Sequence, residues 1–526
     1  MEKIILALLS VFLFCFVGFV RGATISSCNQ TPYPEVCNHF IGSNVLDAQF
    51  ATPLAFRDQS LLVATTQAVE AHNLISAMDL SSFDQRAKLA WADCLELYQD
   101  TVYHLKRSIN SNNPIDAQTW LSAATANQQT CRNGFIDFNL VSHLDSLPYM
   151  LTNFSKLLSN SLAINNAIAF SSSSLYSTKK QGGGRRLLNG DFPSWVSTGD
   201  RRLLQAGAAP KANIVVAQDG SGNYKTISEA VAASVSQRSG TQRFVIYVKK
   251  GIYKENVVIK RKIKNLMFIG DGIDATIVTG NKNAQDGSTT FASATFGVSG
   301  DGFIAKDMTF ENTAGPQKHQ AVALRSGSDF SVFYRCSFKG YQDTLYVYAL
   351  RQFYRDCDIY GTIDFIFGDA VAMVQNCNIY VRRPMSNQFT TVTAQARTDP
   401  NENTGIVVHN SVVTAASDLR PVQGSIKTYL GRPWQKYSRT VFMKSTLDSL
   451  VDPSGWLPWS GNFALSTLYY AEYMNTGGGS GTSGRVKWPG YHVLTSPTEA
   501  GKFTVGSLLA GGSWIAASGV PFVSGL

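Results

Sequence analysis

The first third of the chain carries apolar residues at intervals of three and four positions. This spacing places apolar side chains on one face of an α-helix, and it is clear over Leu61–Met78 and Arg86–Ile109. Alanine, leucine and glutamine, which are good helix formers, are frequent between Cys28 and about Phe170. We therefore predict an all-α four-helix bundle over residues 23–170.

The hydrophobic pattern changes after residue 210. Short runs of β-branched and aromatic residues, separated by glycine, aspartate and asparagine, predict β-strands there. Thr226–Val235 has a helical pattern instead, and it could cover the open end of a stack of strands. The predicted strands are Ile214–Val216, Phe244–Val248, Val257–Ile259, Leu266–Ile269 and Thr276–Val278.

A repeat of about 20 residues lies within this β-rich part. Cys336 and Asp343 are followed 21 positions later by Cys357 and Asp364, and Cys377 stands 20 positions after Cys357. A period of this length, with short apolar runs, predicts a β-solenoid in which each repeat forms one coil.

Asp343 and Asp364 would project side by side in such a solenoid, because parallel strands lie about 4.8 Å apart. Two carboxylates this close favour one protonated and one ionised group. The pair therefore offers an acid together with a nucleophile or base. The alternative is that both aspartates only cap turns between strands.

The N-terminus is typical of a secretory signal peptide. Lys3 precedes the apolar run Ile4–Val20, and the small residues Gly22 and Ala23 follow it. No later segment is apolar and long enough to predict a membrane span. The chain thus divides into a signal peptide (1–22), a helical region (23–170), a Ser-, Gly- and Arg-rich linker (171–209) and a β-rich domain (210–526).

Secretion changes the interpretation of several short motifs. The linker contains Arg-Arg-Leu-Leu twice, beginning at Arg185-Arg186 and at Arg201-Arg202, which predicts cleavage by a subtilisin-like processing protease; an ordinary solvated linker is the alternative. Asn29 and Asn153 begin glycosylation triplets. Cysteines can oxidise in this setting, and the four in the helical region allow three connectivities, of which Cys28–Cys37 with Cys94–Cys131 is the simplest.

The formal charge of +9 lies entirely after residue 204. There 31 Lys and Arg face 22 Asp and Glu, whereas residues 1–204 hold 15 of each. A basic domain suits an acidic partner, and nucleic acid and anionic polysaccharide both qualify.

The β-rich domain resembles the plant pectin methylesterases over about Asn213 to Val523. The resemblance rests on several motifs that occur in order along the chain. The helical region is similar to the pectin methylesterase inhibitor domain in its cysteine spacing and helical texture. The motifs are Asp219–Ile227 (DGSGNYKTI), Gly340–Tyr346 (GYQDTLY), Gly361–Gly368 (GTIDFIFG) and Leu430–Trp434 (LGRPW).

The resemblance implies a right-handed parallel β-helix, a fold that agrees with the repeat. It implies that Asp364 is the nucleophile and that Asp343 is the general acid and then the general base. Gln342, together with Gln320, would stabilise the oxyanion. The residues expected to hold the substrate are Thr290, Gln320, Arg432 and Trp434.

The resemblance also implies a set of partners. The substrate would be methylesterified homogalacturonan in the plant cell wall, and a soluble pectin methylesterase inhibitor protein is a further expected partner. The mature enzyme would be a monomer that needs no metal or cofactor and binds no nucleic acid. A disulfide Cys357–Cys377, with Cys336 free, is implied as well.

Three rival functions make different predictions. A Ser-His-Asp esterase would need a Gly-x-Ser-x-Gly elbow, which the sequence lacks. A pectate lyase would share the solenoid and the acidic substrate but would lose activity in chelator, because it uses Ca²⁺ held by carboxylates. A carbohydrate-binding or structural wall protein would show no turnover and would tolerate Asp364→Asn.

Overall fold

The computed structural model describes residues 24–42, 52–140, 142, 148–177, 211–238 and 240–526. The predicted signal peptide and both Arg-Arg-Leu-Leu motifs lie outside these residues.

The N-terminal region is helical. Thr52, Asp84 and Asn113 each accept a hydrogen bond from a backbone N–H in the first turn of the helix that follows, which fixes where that helix begins. The helices are α1 (Pro34–Phe40), α2 (Pro53–Ser76), α3 (Gln85–Ile109), α4 (Pro114–Asp137) and α5 (Pro148–Ser177). The long helices α2–α5 pack on one another, so the predicted four-helix bundle is confirmed. Helix α5 continues past residue 170, which is the predicted end of the helical region.

Two disulfides stabilise this region. Cys28–Cys37 closes the segment around α1, and Cys94–Cys131 ties α3 to α4. Both match the simplest pairing of the four cysteines.

The rest of the chain is a stack of three-sided coils whose strands pair in parallel, which confirms the predicted parallel β-helix. The first sheet contains β1 (Ile214–Val216), β2 (Phe244–Val248), β5 (Leu266–Gly270), β8 (Ile304–Lys306), β11 (Ser331–Tyr334), β14 (Arg351–Arg355), β17 (Val371–Gln375), β20 (Gly405–His409), β23 (Arg439–Met443), β25 (Tyr469–Tyr473) and β26 (Tyr491–Val493). The second contains β3 (Gly251–Lys254), β6 (Thr276–Gly280), β9 (Thr309–Asn312), β12 (Ser337–Lys339), β15 (Asp358–Gly361), β18 (Asn378–Val381), β21 (Val412–Ala415) and β24 (Thr446–Leu447). The third contains β4 (Val257–Ile259), β7 (Phe296–Val298), β10 (Leu324–Ser326), β13 (Leu345–Val347), β16 (Ile366–Gly368), β19 (Thr390–Gln395) and β22 (Thr428–Gly431).

Short helices flank the coils. Helix α6 (Ile227–Gln237) begins with a capping box between Thr226 and Glu229 and packs on β1, β2 and β4, so the predicted end cover is present. Three one-turn helices, α7 (Pro497–Gly501), α8 (Val505–Leu508) and α9 (Ile515–Ser518), lie near the C-terminus.

Rings stacked inside the coils form the core of the β-helix. Phe333 stacks on Tyr354 at 4.9 Å between centroids, and Phe310 stacks on Phe338 at 5.7 Å. Because equivalent residues of successive coils meet inside the stack, the core grows by one layer per repeat.

The expected disulfide Cys357–Cys377 is not formed, which corrects the expectation from the resemblance. Cys336, Cys357 and Cys377 are buried free thiols that precede strands paired in register. The Cys357 and Cys377 thiols contact each other through a hydrogen bond rather than a covalent bond. Each of the three thiols also lies against a carbonyl; Cys357 Sγ is 3.4 Å from the oxygen of Phe333.

Candidate active site

The two aspartates lie at the same turn of neighbouring coils. Leu345 pairs with Ile366 in the third sheet, so Asp343 and Asp364, each two residues earlier, are stacked as predicted. Both have left-handed backbone conformations, with φ of 64° and 52°, which an aspartate adopts more readily than most residues. The turn alternative is therefore correct about their position, but the Asp364 carboxylate binds residues of later coils rather than its own turn.

Asp364 has strong partners. Arg432 Nη2 is 2.6 Å from Oδ2, and Arg432 Nε is 2.9 Å from Oδ1. The hydroxyl of Thr391 donates to Oδ1 at 2.6 Å and accepts the Asp364 backbone N–H at 2.8 Å. A two-pronged ion pair with an added hydroxyl stabilises the negative charge and fixes the carboxylate.

The surroundings of Asp343 disfavour a negative charge on its carboxyl group. Burial first, and then the neighbouring carboxylates of Asp364 and Asp137, raise the pKa of Asp343 well above its usual range. The surroundings of Asp343 therefore favour its protonated form. The two stacked carboxyl groups thus have unequal surroundings.

The other predicted residues lie around this pair. They line a cavity of about 220 Å³ on the outside of the third sheet. The aromatic residues of the two aspartate motifs take two kinds of position: Tyr346 and Phe367 stack at 4.2 Å and line the cavity, whereas Phe365 lies in the core. The predicted residues that line the cavity are Thr290, Gln320, Gln342, Asp343, Asp364, Arg432 and Trp434.

Some residues of the site were missed by sequence reasoning. Thr391 occupies the next coil at the position of Asp364, since Ile366 pairs with Thr393, but it lies 27 residues on, so the period does not reveal it. Trp459 lines the cavity and lies 4.3 Å from the Arg432 guanidinium, outside any repeat.

The helical region closes the cavity. Thr289 donates to Asp93 of α3, and Thr290 Oγ1 lies 3.5 Å from Asp137 at the end of α4. Burial raises the pKa of Asp93 to about 7 and that of Asp137 to about 6. The two stacked carboxylates are correspondingly inaccessible, with Asp343 7% and Asp364 5% exposed.

A second part of the same interface is held by ion pairs and charged hydrogen bonds. Arg107 of α3 lies 3.1 Å from Asp301, and Trp120 of α4 donates to Asp329 at 3.0 Å. Arg351 binds Asp116 of α4. These contacts anchor the bundle away from the catalytic pair.

Within the described ranges, no helix is long and apolar enough to cross a membrane. In the same part of the chain, no group of three or more His, Cys, Asp or Glu could hold a metal ion.

Of the predicted glycosylation sites, Asn29 is exposed and Asn153 is half-buried on α5.

Comparison with known proteins covers both regions. The pectinesterase family model matches residues 213–512, and the plant invertase/pectin methylesterase inhibitor model matches residues 23–164. Pectinesterase 2 of Citrus sinensis is 53% identical over 512 residues, which cover 97% of this chain and 96% of that protein. Probable pectinesterase/pectinesterase inhibitor 17 of Arabidopsis thaliana is 55% identical over 502 residues, which cover 95% of this chain and 94% of that protein.

A solved structure agrees with these matches. The pectin methylesterase from carrot is 58% identical, with a TM-score of 0.60, and it covers 61% of this chain and 100% of its own. The chain therefore belongs to the pectinesterase family and carries an N-terminal region of the pectin methylesterase inhibitor family.

Proposed function

We propose that this pectinesterase hydrolyses the methyl esters of cell-wall homogalacturonan through an acyl-enzyme on Asp364, giving de-esterified pectin and methanol. This mechanism rests on the different surroundings of the two stacked carboxylates. Arg432 and Thr391 hold Asp364 as an anion, while Asp343 is buried beside it with a raised pKa. One group is ready to attack and the other to donate a proton.

In the first half-reaction, a carboxylate oxygen of Asp364 attacks the ester carbonyl carbon. The side-chain amides of Gln342 and Gln320 line the cavity and stabilise the resulting oxyanion by about 3 kcal/mol per donor. When the intermediate collapses, the bond to the methoxy oxygen breaks and Asp343 gives that oxygen its proton. Methanol leaves, and an anhydride between Asp364 and the substrate remains.

In the second half-reaction, Asp343 acts as a base. It takes a proton from water, and the hydroxide attacks the substrate carbonyl carbon of the anhydride. The bond to the Asp364 oxygen breaks, which frees the uronic acid and returns Asp364 as a carboxylate. Asp343 is then protonated again for the next ester.

The sugar ring is held beside these groups. Trp434 lies 5.8 Å from Phe367 between ring centroids, so the cavity offers apolar faces to a pyranose. Thr290 contacts the substrate at the edge of the cavity, and Arg432 orients both the nucleophile and the substrate.

The helical region restrains the enzyme until the linker is cut. It covers the catalytic pair, and its covalent attachment keeps its effective concentration near the millimolar range. Cutting by a subtilisin-like protease at Arg185-Arg186 or Arg201-Arg202 removes that advantage, and the helices then dissociate. A role in assisting folding is compatible with the same contacts.

The protein is secreted and acts in the plant cell wall as a monomer. The charge distribution supports this proposal, because the basic residues are concentrated in the catalytic part and the wall polymer is an anion. The cavity that the helices cover is also the surface that a separate inhibitor protein would contact.

The test is methanol release from methylesterified pectin by the processed enzyme, with and without chelator. We expect turnover in both, and hydroxylamine should divert the acyl-enzyme into a hydroxamate. Turnover that stops in chelator would favour a calcium-dependent lyase. Turnover without any hydroxamate would contradict the acyl-enzyme.

A further inference from the structure

A charged residue that the mechanism does not use lies one coil from Tyr346, next to the residues that line the cavity. Strands β7, β10, β13, β16 and β19 are paired in register, so one outward-facing residue per coil forms a row beneath the cavity. This row is Gly297, Arg325, Tyr346, Phe367 and Ala394. Arg325 is therefore one coil from Tyr346 and two coils, about 10 Å, from Phe367.

The Arg325 side chain is held in a fixed position. Its Nε donates to the carbonyl of Phe291 at 3.1 Å, and its guanidinium carbon lies 3.4 Å from the centroid of the Phe291 ring. A Cβ on Gly297 would approach Nη2 to 3.0 Å, so the glycine leaves room for the guanidinium. The geometry is that of a preorganised group.

The guanidinium is nevertheless without a carboxylate. Arg325 is 4% exposed, and its Nη1 has no hydrogen-bond partner among the described residues. Two other buried arginines, Arg351 and Arg485, each hold a carboxylate. Burying a cation without a partner costs free energy. The Arg325 guanidinium can therefore gain stability by binding an anion.

Two acidic residues of the helical region lie near the Arg325 guanidinium. Glu96 and Asp93 of α3 oppose the effect of burial, which lowers the pKa of Arg325. When the helices leave, Glu96 and Asp93 leave with them, and Arg325 remains one coil from Tyr346 without these acids. An unesterified uronic acid residue of the substrate then supplies the missing carboxylate.

We propose that Arg325 binds the free carboxylate of an unesterified uronic acid residue near the ester that is being cleaved, and so makes the enzyme prefer partly de-esterified chains. This inference rests on the proposed hydrolysis of pectin esters. Arg325 is a specificity-determining residue, because it acts on a neighbouring sugar and not on the reacting carbonyl.

The experiment compares two substrates, fully methylesterified pectin, which has no free carboxylates, and pectin of intermediate esterification. The full-length chain is expressed in plant cells, and the processed enzyme is purified from the wall. Arg325→Gln should raise KM about tenfold on the partly esterified substrate and leave KM on the fully esterified substrate and both kcat values unchanged. It should also weaken competitive inhibition by polygalacturonate about tenfold.

Arg335→Gln is the matched control. It removes the same charge from a partly exposed arginine that pairs with Asp307 at a turn between the first and second sheets, and it should leave KM on both substrates unchanged. If Arg325→Gln does not fold, Arg325→Lys serves instead. Lysine keeps the charge without the two-pronged geometry, so KM should rise two- to threefold on the partly esterified substrate alone.

The outcomes separate the two proposals. Equal losses on both substrates would assign Arg325 a structural role and overturn the inference, as would unchanged KM on both. Wild-type enzyme that releases no methanol from either substrate would instead overturn the proposed function.

Discussion

The β-helix wall and the helical wall of the catalytic cavity both contain carboxylates, but they hold them differently. On the β-helix wall, Arg432 and Thr391 hold Asp364 as an anion. On the helical wall, Asp93 and Asp137 meet the hydroxyls of Thr289 and Thr290. Burial raises the pKa of both helical groups.

This difference indicates what each wall is built for. The β-helix wall pairs Asp364 with a guanidinium and places beside it a carboxyl group whose pKa is raised, an arrangement suited to a nucleophile and an acid. The helical wall is most stable against the cleft when its carboxylates are protonated, an arrangement suited to a removable cover. The charged contacts of Arg107 and Asp116 farther away supply the anchor.

The largest expected effect is on the β-helix wall. Asp364→Asn removes the attacking charge but keeps the side-chain shape, so kcat of the processed enzyme should fall at least about a thousandfold while pectin still binds. Methanol release and a binding isotherm measure the two quantities. Asp358→Asn is the control, because Asp358 lies in the same coil and accepts from Asn378 at the surface. Comparable methanol release by Asp364→Asn and wild type would refute the nucleophile.

The next effect concerns the helical wall as a whole. Changing Arg185, Arg186, Arg201 and Arg202 to alanine should leave an uncut precursor, retained before the wall, with roughly a hundredfold lower activity because the tethered helices stay docked. Methanol release per mole of each form measures this. A secreted, uncut precursor as active as the processed enzyme would leave the helices only a folding or targeting role.

A smaller effect should follow from loosening the nucleophile. Thr391→Val removes the hydroxyl that accepts from the Asp364 backbone and donates to its carboxylate, so kcat should fall about tenfold with KM little changed. Thr391→Ser should restore most of the rate. Thr390→Val removes a neighbouring buried hydroxyl that pairs with Thr428 and should leave kcat unaltered. If both valine variants lose the same activity, Thr391 acts only through stability.

The smallest effect is the pH dependence of the cover. Asp93 and Asp137 have docked pKa values of about 7 and about 6, against 3.8 for an ordinary aspartate. Below about pH 3 each is protonated whether docked or free, so docking does not depend on pH there. As pH rises towards 7, ionisation favours the undocked state, and docking weakens.

The activity of the uncut precursor relative to the processed enzyme should therefore rise several-fold between pH 4 and pH 7. Asp137→Asn should flatten this rise, and Asp79→Asn, which changes an exposed carboxylate, should not. A ratio independent of pH in the wild type would show that these carboxylates do not control docking.

Much of the fold follows from local pattern. The strands predicted at Ile214–Val216, Phe244–Val248 and Val257–Ile259 have the predicted bounds, because a run of β-branched and aromatic residues is a property of a few neighbours. The strand Gly251–Lys254 was missed, since it begins with glycine and contains two outward-facing, exposed side chains.

The sequence by itself determined the stacked pair Asp343 and Asp364, because a constant number of residues per coil brings equivalent positions together. Only the tertiary structure decided that Thr391 joins them, since 27 residues separate it from Asp364 and the period is broken there. It also decided that Cys357 and Cys377 stay unpaired, and that α3 and α4 close the cleft. The contacts between the helices and the cleft join residues some 200 positions apart. Their geometry depends on how the helical core and the β-helix core meet, and no local period in the sequence encodes that.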